Sequence, residues 1–562
     1  MQRQTEDDVR VIIDDTLNME DPLALVSRWV EEYSHPVGSV AHYLCDRHDG
    51  DKIALNYEDA TGQRQSFTFA DLHDLSARFA SVLRDLGIGH GDRVAILLPK
   101  SPELVIAVLA VWRLGAVHVP LFTAFGPQAI AHRVENSGAR VMITDTANRS
   151  KLDGTTDGVG AVNTERVRVV TVARGDDTLC ASDVSFREAL ATAAPLSESV
   201  SVSGDDLFIL LYTSGTAGHP KGVEVPVRAL AAFEAYMRFG LDLRPDDVFW
   251  NMADPGWAYG LYYGLVGPLL LGNTTMMVNA PFDANEVYRR LREYRVTNFT
   301  AAPTVYRSMR AKGVPEGLKD QLYLRVLSSA GEPLNPDVVD WAETNLGLPI
   351  HDHYGQTEHG MVVNNHHFPS LQRPIRSGSM GHPMPGYRIM VVNSEGMELP
   401  PGTEGQVAVD IEQSPLYWFR GYFGDPVRTA ERFPVGPRYY FMGDAASQDA
   451  DGYIYFSGRA DDIISSAGYR IGPFEVESAL MGHDAVAEAA AVGVPDERRG
   501  EIVKAYVVLR PGHTPSDALA KELREFVKGT LSAHAYPREI EFVESLPKTP
   551  SGKVQRFLLR RQ

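Results

Sequence analysis

Between Leu210 and Gly222 the chain reads Leu-Leu-Tyr-Thr-Ser-Gly-Thr-Ala-Gly-His-Pro-Lys-Gly. An apolar run, Leu207 to Tyr212, has the length and composition of a strand. It opens onto hydroxyls (Thr213, Ser214, Thr216), glycines (Gly215, Gly218, Gly222) and one lysine, Lys221. Glycines let backbone N–H groups turn towards an anion with no side chain in the way, hydroxyls add donors, and lysine adds positive charge. That set suits a polyphosphate. Composition alone also allows an ordinary Gly/Ser-rich surface loop. The Walker spacing is absent, because His219 and Pro220 separate Gly218 from Lys221, so a P-loop NTPase core is not expected.

Other stretches carry chemistry of a related kind. Asp352 to Gly360 reads Asp-His-Tyr-Gly-Gln-Thr-Glu-His-Gly, with carboxylates and a hydroxyl at the mouth of a short strand. Mg²⁺ prefers oxygen ligands and keeps waters, so a nucleotide-bound Mg²⁺ suits this stretch; a polar turn is the alternative. Asp444 follows the strand Tyr439 to Gly443, where a carboxylate can accept hydrogen bonds from two ribose hydroxyls, or simply cap a turn. Lys553 stands in Leu-Pro-Lys-Thr-Pro-Ser-Gly-Lys-Val, beside Arg556, Arg560 and Arg561, which can equally be a solvated basic tail. His351, His353, His359, His366 and His367 invite a zinc reading, but no cysteine lies near them.

These residues need a frame to position them. The chain has 562 residues, 44% hydrophobic and 23% charged, which fits about two to four soluble globular domains. A net charge of −19 argues against nucleic acid or an anionic membrane as partner, and requires local positive groups for any anionic substrate. Two cysteines, Cys45 and Cys180, make no disulfide framework and fit a reducing cytoplasm. Met1 to Asp15 is charged and lacks the apolar segment of a signal peptide. Leu104 to Phe122 is interrupted by Arg113, Gly115, His118 and Pro120, so it reads as a buried helix followed by a strand and not as a membrane span.

Along the chain, helical spacing covers 22–33, 68–86, 102–114, 128–137, 185–193, 227–239 and 260–271, alternating with strands at 93–98, 116–121, 140–144, 167–172, 248–251, 273–278, 299–302, 324–329 and 349–353. A hairpin is expected over 53–69. Such alternation indicates α/β architecture with helices on parallel sheets. After Pro385, short strands at 387–392, 405–411, 439–443 and 453–457 with Gly, Pro and Asp turns predict a small antiparallel barrel or sheet. From about residue 460 a separate α+β unit is expected, with helices at 473–481 and 516–531 and strands at 487–494, 502–509 and 540–543.

The glycine stretch, Ser329-Ala-Gly-Glu-Pro333, Asp352–Gly360, Asp444 in Tyr-Phe-Met-Gly-Asp, Gly458–Glu477 (Gly-Arg-Ala-Asp-Asp-Ile-Ile-Ser-Ser-Ala-Gly-Tyr-Arg-Ile-Gly-Pro-Phe-Glu-Val-Glu) and the Lys553 loop occur in one order over most of the chain. In that order they resemble the adenylate-forming enzymes, and among them the acyl-CoA synthetases. The resemblance implies a large N-terminal AMP-binding (adenylation) domain, residues 1–459, made of helix-flanked sheets plus a small β-barrel-like subdomain. A smaller, mobile α+β C-terminal domain, residues 460–562, would follow. It also implies ATP and coenzyme A as substrates, with Mg²⁺. Thr213, Ser214, Gly215, Thr216, Gly218 and Lys221 would hold phosphate, and Gly331, Glu332 and Pro333 would pack along adenine. Asp352, His353, Tyr354, Gly355, Gln356 and Thr357 would form the second nucleotide station, with Thr357 at phosphate and Glu358 at the metal. Asp444 and Arg459 would hold the ribose, and Asp461 would be the hinge. Gly468, flanked by Ala467 and Tyr469, would pass the pantetheine arm of CoA, and Arg470 would lie near phosphate. Lys553 would bridge the acid's carboxylate and the α-phosphate. Two departures stand out: Ala217 replaces a usual Thr or Ser, and His359 follows Glu358 where Thr or Ser is usual.

Asp254-Pro-Gly-Trp257-Ala258-Tyr259-Gly260 is similar to the carboxylate-pocket segment of acetyl-CoA and medium-chain acyl-CoA synthetases. By that likeness Trp257, Ala258, Tyr259, Ala330 and Gly355 line the acid's pocket. The family's acetate enzymes carry tryptophan where Gly355 stands. Its loss would admit several more methylenes, each worth about 0.8 kcal/mol when buried, and so a short- to medium-chain fatty acid longer than acetate. Tyr259 instead favours an aryl ring by stacking. The implied reaction takes ATP, a small carboxylic acid and CoA to acyl-CoA, AMP and pyrophosphate through an acyl-adenylate. Transfer to a carrier-protein thiol, or a silent nucleotide-binding regulator, are the alternatives.

Overall fold

The computed structural model describes residues 20–155, 159–175, 177–213, 220–466, 469–496, 498–531, 535–549 and 553–560. One sheet runs in the strand order Val184–Ser185, Arg168–Val172, Val141–Asp145, Arg93–Leu97, Val117–Pro120, Leu207–Thr213, Lys221–Pro226. Its pairs are parallel except the last. The sequence pattern anticipates no strand between the glycine stretch and the helical run from Val227. Instead Lys221 opens one, because Val223 and Val225 are both fully buried there. Thr213 and Lys221 thereby become cross-strand partners.

A second path of thirteen strands begins with Ile389–Val392, Gly405–Asp410, Tyr439–Gln448 and Ile454–Arg459, all antiparallel. These are the strands expected after Pro385, and they join the rest through Ser379–Pro383 and Gly360–Asn364. Beyond lie Ile350–Gln356, Val326–Ala330, Asn298–Ala301, Phe249–Asn251, Thr275–Asn279 and Ile53–Asp59, paired in parallel, with Arg64–Thr68 at the edge. The strand expected to stop at His353 continues to Gln356, because Gly360–Asn364 folds back along it.

The helix Pro102–Arg113 is apolar nearly all round and buried nearly all round within the main core, the placement such a helix requires. Trp112 Nε1 donates to the Phe208 carbonyl at 2.8 Å, tying the helix to the strand that leads into the glycine stretch. No helix among the described residues is long and apolar enough to cross a membrane.

A smaller α+β unit occupies the C-terminal part. Its strands are Tyr469–Ile471, Ile464–Ser466, Gly500–Leu509 and Val486–Asp496, with Glu539–Phe542 alongside Gly500–Leu509. Helices Pro473–Met481 and Asp517–Thr530 share its core through Val476, Leu480, Leu523 and Val527. Asn335 donates to Ser478 at 3.2 Å between the larger part and this unit.

Strands Phe249–Asn251, Asn298–Ala301 and Val326–Ala330 are clamped near their starts. Arg325 donates to Asp242 at 2.6 Å and to Asp247 at 2.5 Å, and Thr297 donates to Asp247 at 2.7 Å. Both aspartates are buried. Arg325→Ala leaves Asp247 without its guanidinium, and an uncompensated buried charge costs on the order of 3 kcal/mol. Denaturant unfolding should show a loss of that size, with the fold otherwise unchanged.

Candidate active site

The strand mouths gather the residues singled out from the sequence into two clusters. In the first, Asp444 and Arg459 are direct cross-strand partners, and Arg459 Nη1 donates to Asp444 Oδ1 at 3.1 Å. Tyr354 and Gln356 project from one face of their strand towards the same carboxylate. The Tyr354 hydroxyl donates to Asp444 Oδ2, and Gln356 Nε2 donates to it at 2.6 Å and to the Met442 carbonyl at 2.8 Å.

Two residues beyond that strand, Glu358 enters the second cluster. Its Oε1 accepts from the Tyr422 hydroxyl at 2.7 Å. Arg432 Nε donates to the same hydroxyl at 3.0 Å. Lys221 Nζ lies 4.7 Å from the centroid of the Tyr422 ring, a cation–π contact. Tyr422 reaches this place because it bridges Val223 while Phe423 N donates to the Gly222 carbonyl at 2.7 Å. Tyr422 and Arg432 escaped the sequence reading. The only signal is the aromatic run Tyr417-Trp-Phe-Arg-Gly-Tyr-Phe, which has no diagnostic spacing. Burial presses Lys221 towards its neutral form, Arg432 adds to that, and Glu358 opposes it. The same burial and the Glu358 charge hold the Tyr422 phenol protonated.

Elsewhere the placement is mixed. Ser214, Gly215, Thr216, Ala217, Gly218, Ala467 and Gly468 lie outside the described residues. Tyr469 and Arg470 open the strand Tyr469–Ile471. Gly331 adopts φ +98° with nothing near the side-chain position, so its backbone is open to a flat ligand. The Glu332 carboxylate turns away to accept from Arg307 at 2.7 Å and from Thr304. Asp352 lines a cavity of about 440 Å³ with Leu334, Asn365 and Ser379. Its Oδ1 is buried with no hydrogen-bond partner, and burial raises its carboxyl well above the usual carboxylate range. The Thr357 carbonyl accepts from Tyr262 at 3.3 Å. Asp461 is exposed and lies 3.7 Å from Arg459 Nε. Lys553 is exposed, its backbone paired with Thr549, and among the described residues no contact joins its side chain to either cluster.

The histidines have their own company. His351 stacks on His367 at 3.6 Å, and His353 joins Tyr236 at 2.7 Å and the Asn365 carbonyl at 3.2 Å. Burial pushes His351, His359 and His366 down to about 4. No group of three or more metal-ligating side chains forms among the described residues.

Around the expected acid pocket, Trp257 packs its ring 5.5 Å from Phe122 and 5.4 Å from Phe125. Its indole N–H is buried without a partner. Ala258 and Tyr259 are half-buried and Ala330 is buried. The Tyr259 hydroxyl meets that of Tyr236 at 2.7 Å. Below this segment Lys100, also missed in the sequence, donates to the Met252 carbonyl at 2.6 Å and faces Asp254. The volume argument from Gly355 fails. A Cβ there would lie 2.1 Å from the Gly360 carbonyl oxygen and 2.6 Å from Met361 Cα. The returning strand already fills that space, so the glycine is needed for strand contact and opens no indole-sized room.

Comparison with known proteins follows the same outline. A family model described as "AMP-binding enzyme" matches residues 44–423, and one described as "AMP-binding enzyme C-terminal domain" matches 475–553. The chain is 37% identical to the acetyl-coenzyme A synthetase of Bacillus subtilis over 532 residues, covering 93% of this chain and 90% of that protein. An acyl-CoA synthetase structure from Brucella canis is 49% identical, with TM-score 0.75 and 98% of both chains covered. A benzoate CoA ligase structure from Burkholderia xenovorans is 30% identical, with TM-score 0.79, covering 93% of this chain and all (100%) of that one.

The setting of Lys221 makes a direct prediction. An ordinary lysine titrates near about 10.4; Lys221 stays charged at low pH and should lose its proton below that range as pH rises. Competitive trace acetylation of the intact protein across pH reads its midpoint. Arg432→Gln should move the midpoint upward, because the repulsion from the neighbouring guanidinium is then gone.

Proposed function

Because the chain belongs to the AMP-binding enzyme family and shares the ligase chemistry of the acyl-CoA synthetases, we propose that it joins a small carboxylic acid to coenzyme A in two steps. In the first, the carboxylate attacks the α-phosphate of ATP and pyrophosphate leaves. In the second, the CoA thiol attacks the acyl-adenylate and AMP leaves. One observation carries this reading. A single strand end supplies Tyr354 and Gln356 to the Asp444–Arg459 pair and then Glu358 to the Lys221–Tyr422–Arg432 cluster. A carboxylate–guanidinium pair suited to sugar hydroxyls and a cation cluster suited to phosphate thus draw on one strand end.

In this reading Lys221 and Arg432 hold phosphate charge, and catalysis is largely positioning and electrostatic stabilisation. Asp444 and Arg459 take the ribose. Among the described residues Glu358 is the one carboxylate of this cluster, and a single protein oxygen ligand suits a Mg²⁺ that would arrive on the phosphates with its own waters, their charge offsetting the neighbouring cations. When bound, that ion would neutralise phosphate charge. In this reading the chain divides at 459/460, with Asp461 as the hinge, Lys553 as the adenylating lysine, and Gly468 with its neighbours as the CoA passage, all by resemblance to the family.

In this reading the acid is a short- to medium-chain fatty acid longer than acetate, and the small residues Ala258 and Ala330 support it. An aryl acid is the second reading, favoured by the Trp257, Phe122 and Phe125 rings and by the likeness to a benzoate CoA ligase. AMP release with C2 to C12 linear acids and benzoate, each with and without CoA, tests both. Release that needs CoA supports the ligase; release without CoA but with a carrier protein would shift the acceptor; no pyrophosphate exchange with any acid would overturn the enzyme reading. Gly355→Ala should lower activity alike for every acid. A selective loss of the longer acids would restore the volume argument. Lys553→Ala should reduce adenylation by at least roughly 100-fold yet spare thioester formation from supplied acyl-adenylate.

A further inference from the structure

The lysine loop is anchored at its foot. Lys548 bridges Val554, Thr549 N donates to the Lys553 carbonyl at 2.7 Å, and Gln555 N donates to the Pro547 carbonyl at 2.8 Å. The next residue, Arg556, sends Nε and Nη2 to Glu477 Oε1 at 3.0 and 2.8 Å, and Nη2 to Oε2 at 2.8 Å. Glu477 is 5% exposed and also accepts from Ala491 N at 2.8 Å, in a core strand. The loop's exit is therefore fixed to the body of the C-terminal unit by a directional fork of the kind only arginine provides.

The same foot reaches the hinge segment. Arg556 Nη1 lies 3.7 Å from Asp462 Oδ2, and Arg560 Nη2 donates to Asp462 Oδ1 at 2.6 Å and to the Asp461 carbonyl at 3.3 Å. Asp462 itself is held in a turn, its N–H donating to the Arg459 carbonyl at 2.9 Å. Ala460 N in turn donates to the Gly443 carbonyl at 3.0 Å, next to Asp444. A continuous route of ion pairs and hydrogen bonds thus runs from the Asp444 strand, through 460–462, to the residue three places after Lys553.

We propose that Arg556 and Asp462 are positioning residues for Lys553, transmitting the hinge's setting to the lysine loop so that the loop moves with the hinge without slack. This rests on the role given to Lys553 above. It excludes the bland alternative of a solvated basic tail for Arg556 and Arg560, since both are in ion pairs with partly or fully buried carboxylates.

The test uses the full-length protein and measures the two half-reactions separately, with Lys553→Ala as reference. Arg556→Lys keeps the charge and loses the fork. It should lower kcat for pyrophosphate exchange at least tenfold, with KM for ATP and thioester formation from supplied acyl-adenylate within about threefold of the parent. Asp462→Asn leaves the Arg556–Glu477 fork intact, so it keeps the fold and should show the same split to a smaller degree. Equal loss in both half-reactions, or no loss in either variant, overturns the inference. If Lys553→Ala itself fails to split the half-reactions, the role of the lysine falls. If it splits them and the Arg556 and Asp462 variants do not, only the positioning inference falls.

Discussion

Two cations, Lys221 and Arg432, stand about one buried phenol, Tyr422, and the burial of the lysine beside a second positive charge constrains what else must be there. Burial and Arg432 both press the lysine towards its neutral form. Glu358 supplies the counter-charge, and the Tyr422 hydroxyl, donating to Glu358 and accepting from Arg432, fixes the geometry between them. Three elements of the larger part position this cluster. Antiparallel return of the strand at Lys221 sets the lysine, the bridge at Val223 sets Tyr422, and the strand ending at Gln356 sets Glu358. In a chain of net charge −19, concentrating positive charge at one place is the condition for gripping an anion at all.

Much of this was readable in the residues. The alternation of helix and strand, the apolar helix Pro102–Arg113 and the α+β unit at the C-terminus all follow from periodicity, which reports burial directly. Asp444 and Arg459 were singled out by resemblance; the strand expected to stop at Gly443 runs on to Gln448, and its antiparallel register with Ile454–Arg459 makes them direct partners. Tyr422 and Arg432 were not singled out, because their roles depend on a bridge to Val223 that no local pattern encodes. Lys100 is similar: its carbonyl partner at Met252 is distant in sequence. The strand from Lys221 to Pro226 was hidden for another reason, since two buried valines are too short a period-two pattern to stand out beside a helical run.

Gly355 shows how a missing side chain can mislead when only the sequence is in hand. It looks like space. In the fold it is close contact, because the strand from Gly360 to Asn364 comes back along Ile350–Gln356 with a register shift at this point. A glycine within a strand often marks a close approach of another backbone, and here that approach comes from Gly360–Asn364.

The hydrogen-bond chain from His353 has a direction. His353 Nε2 faces the Asn365 carbonyl, which can only accept. Burial keeps the imidazole neutral, so Nε2 carries its one proton and Nδ1 is a bare lone pair. Tyr236 must therefore give its proton to Nδ1, and Tyr259 must give its own to Tyr236. With its one proton committed to Tyr236, the Tyr259 hydroxyl can only accept from any further partner. A side chain that sequence chemistry offers as either donor or acceptor has had its polarity decided by a histidine two hydroxyls away.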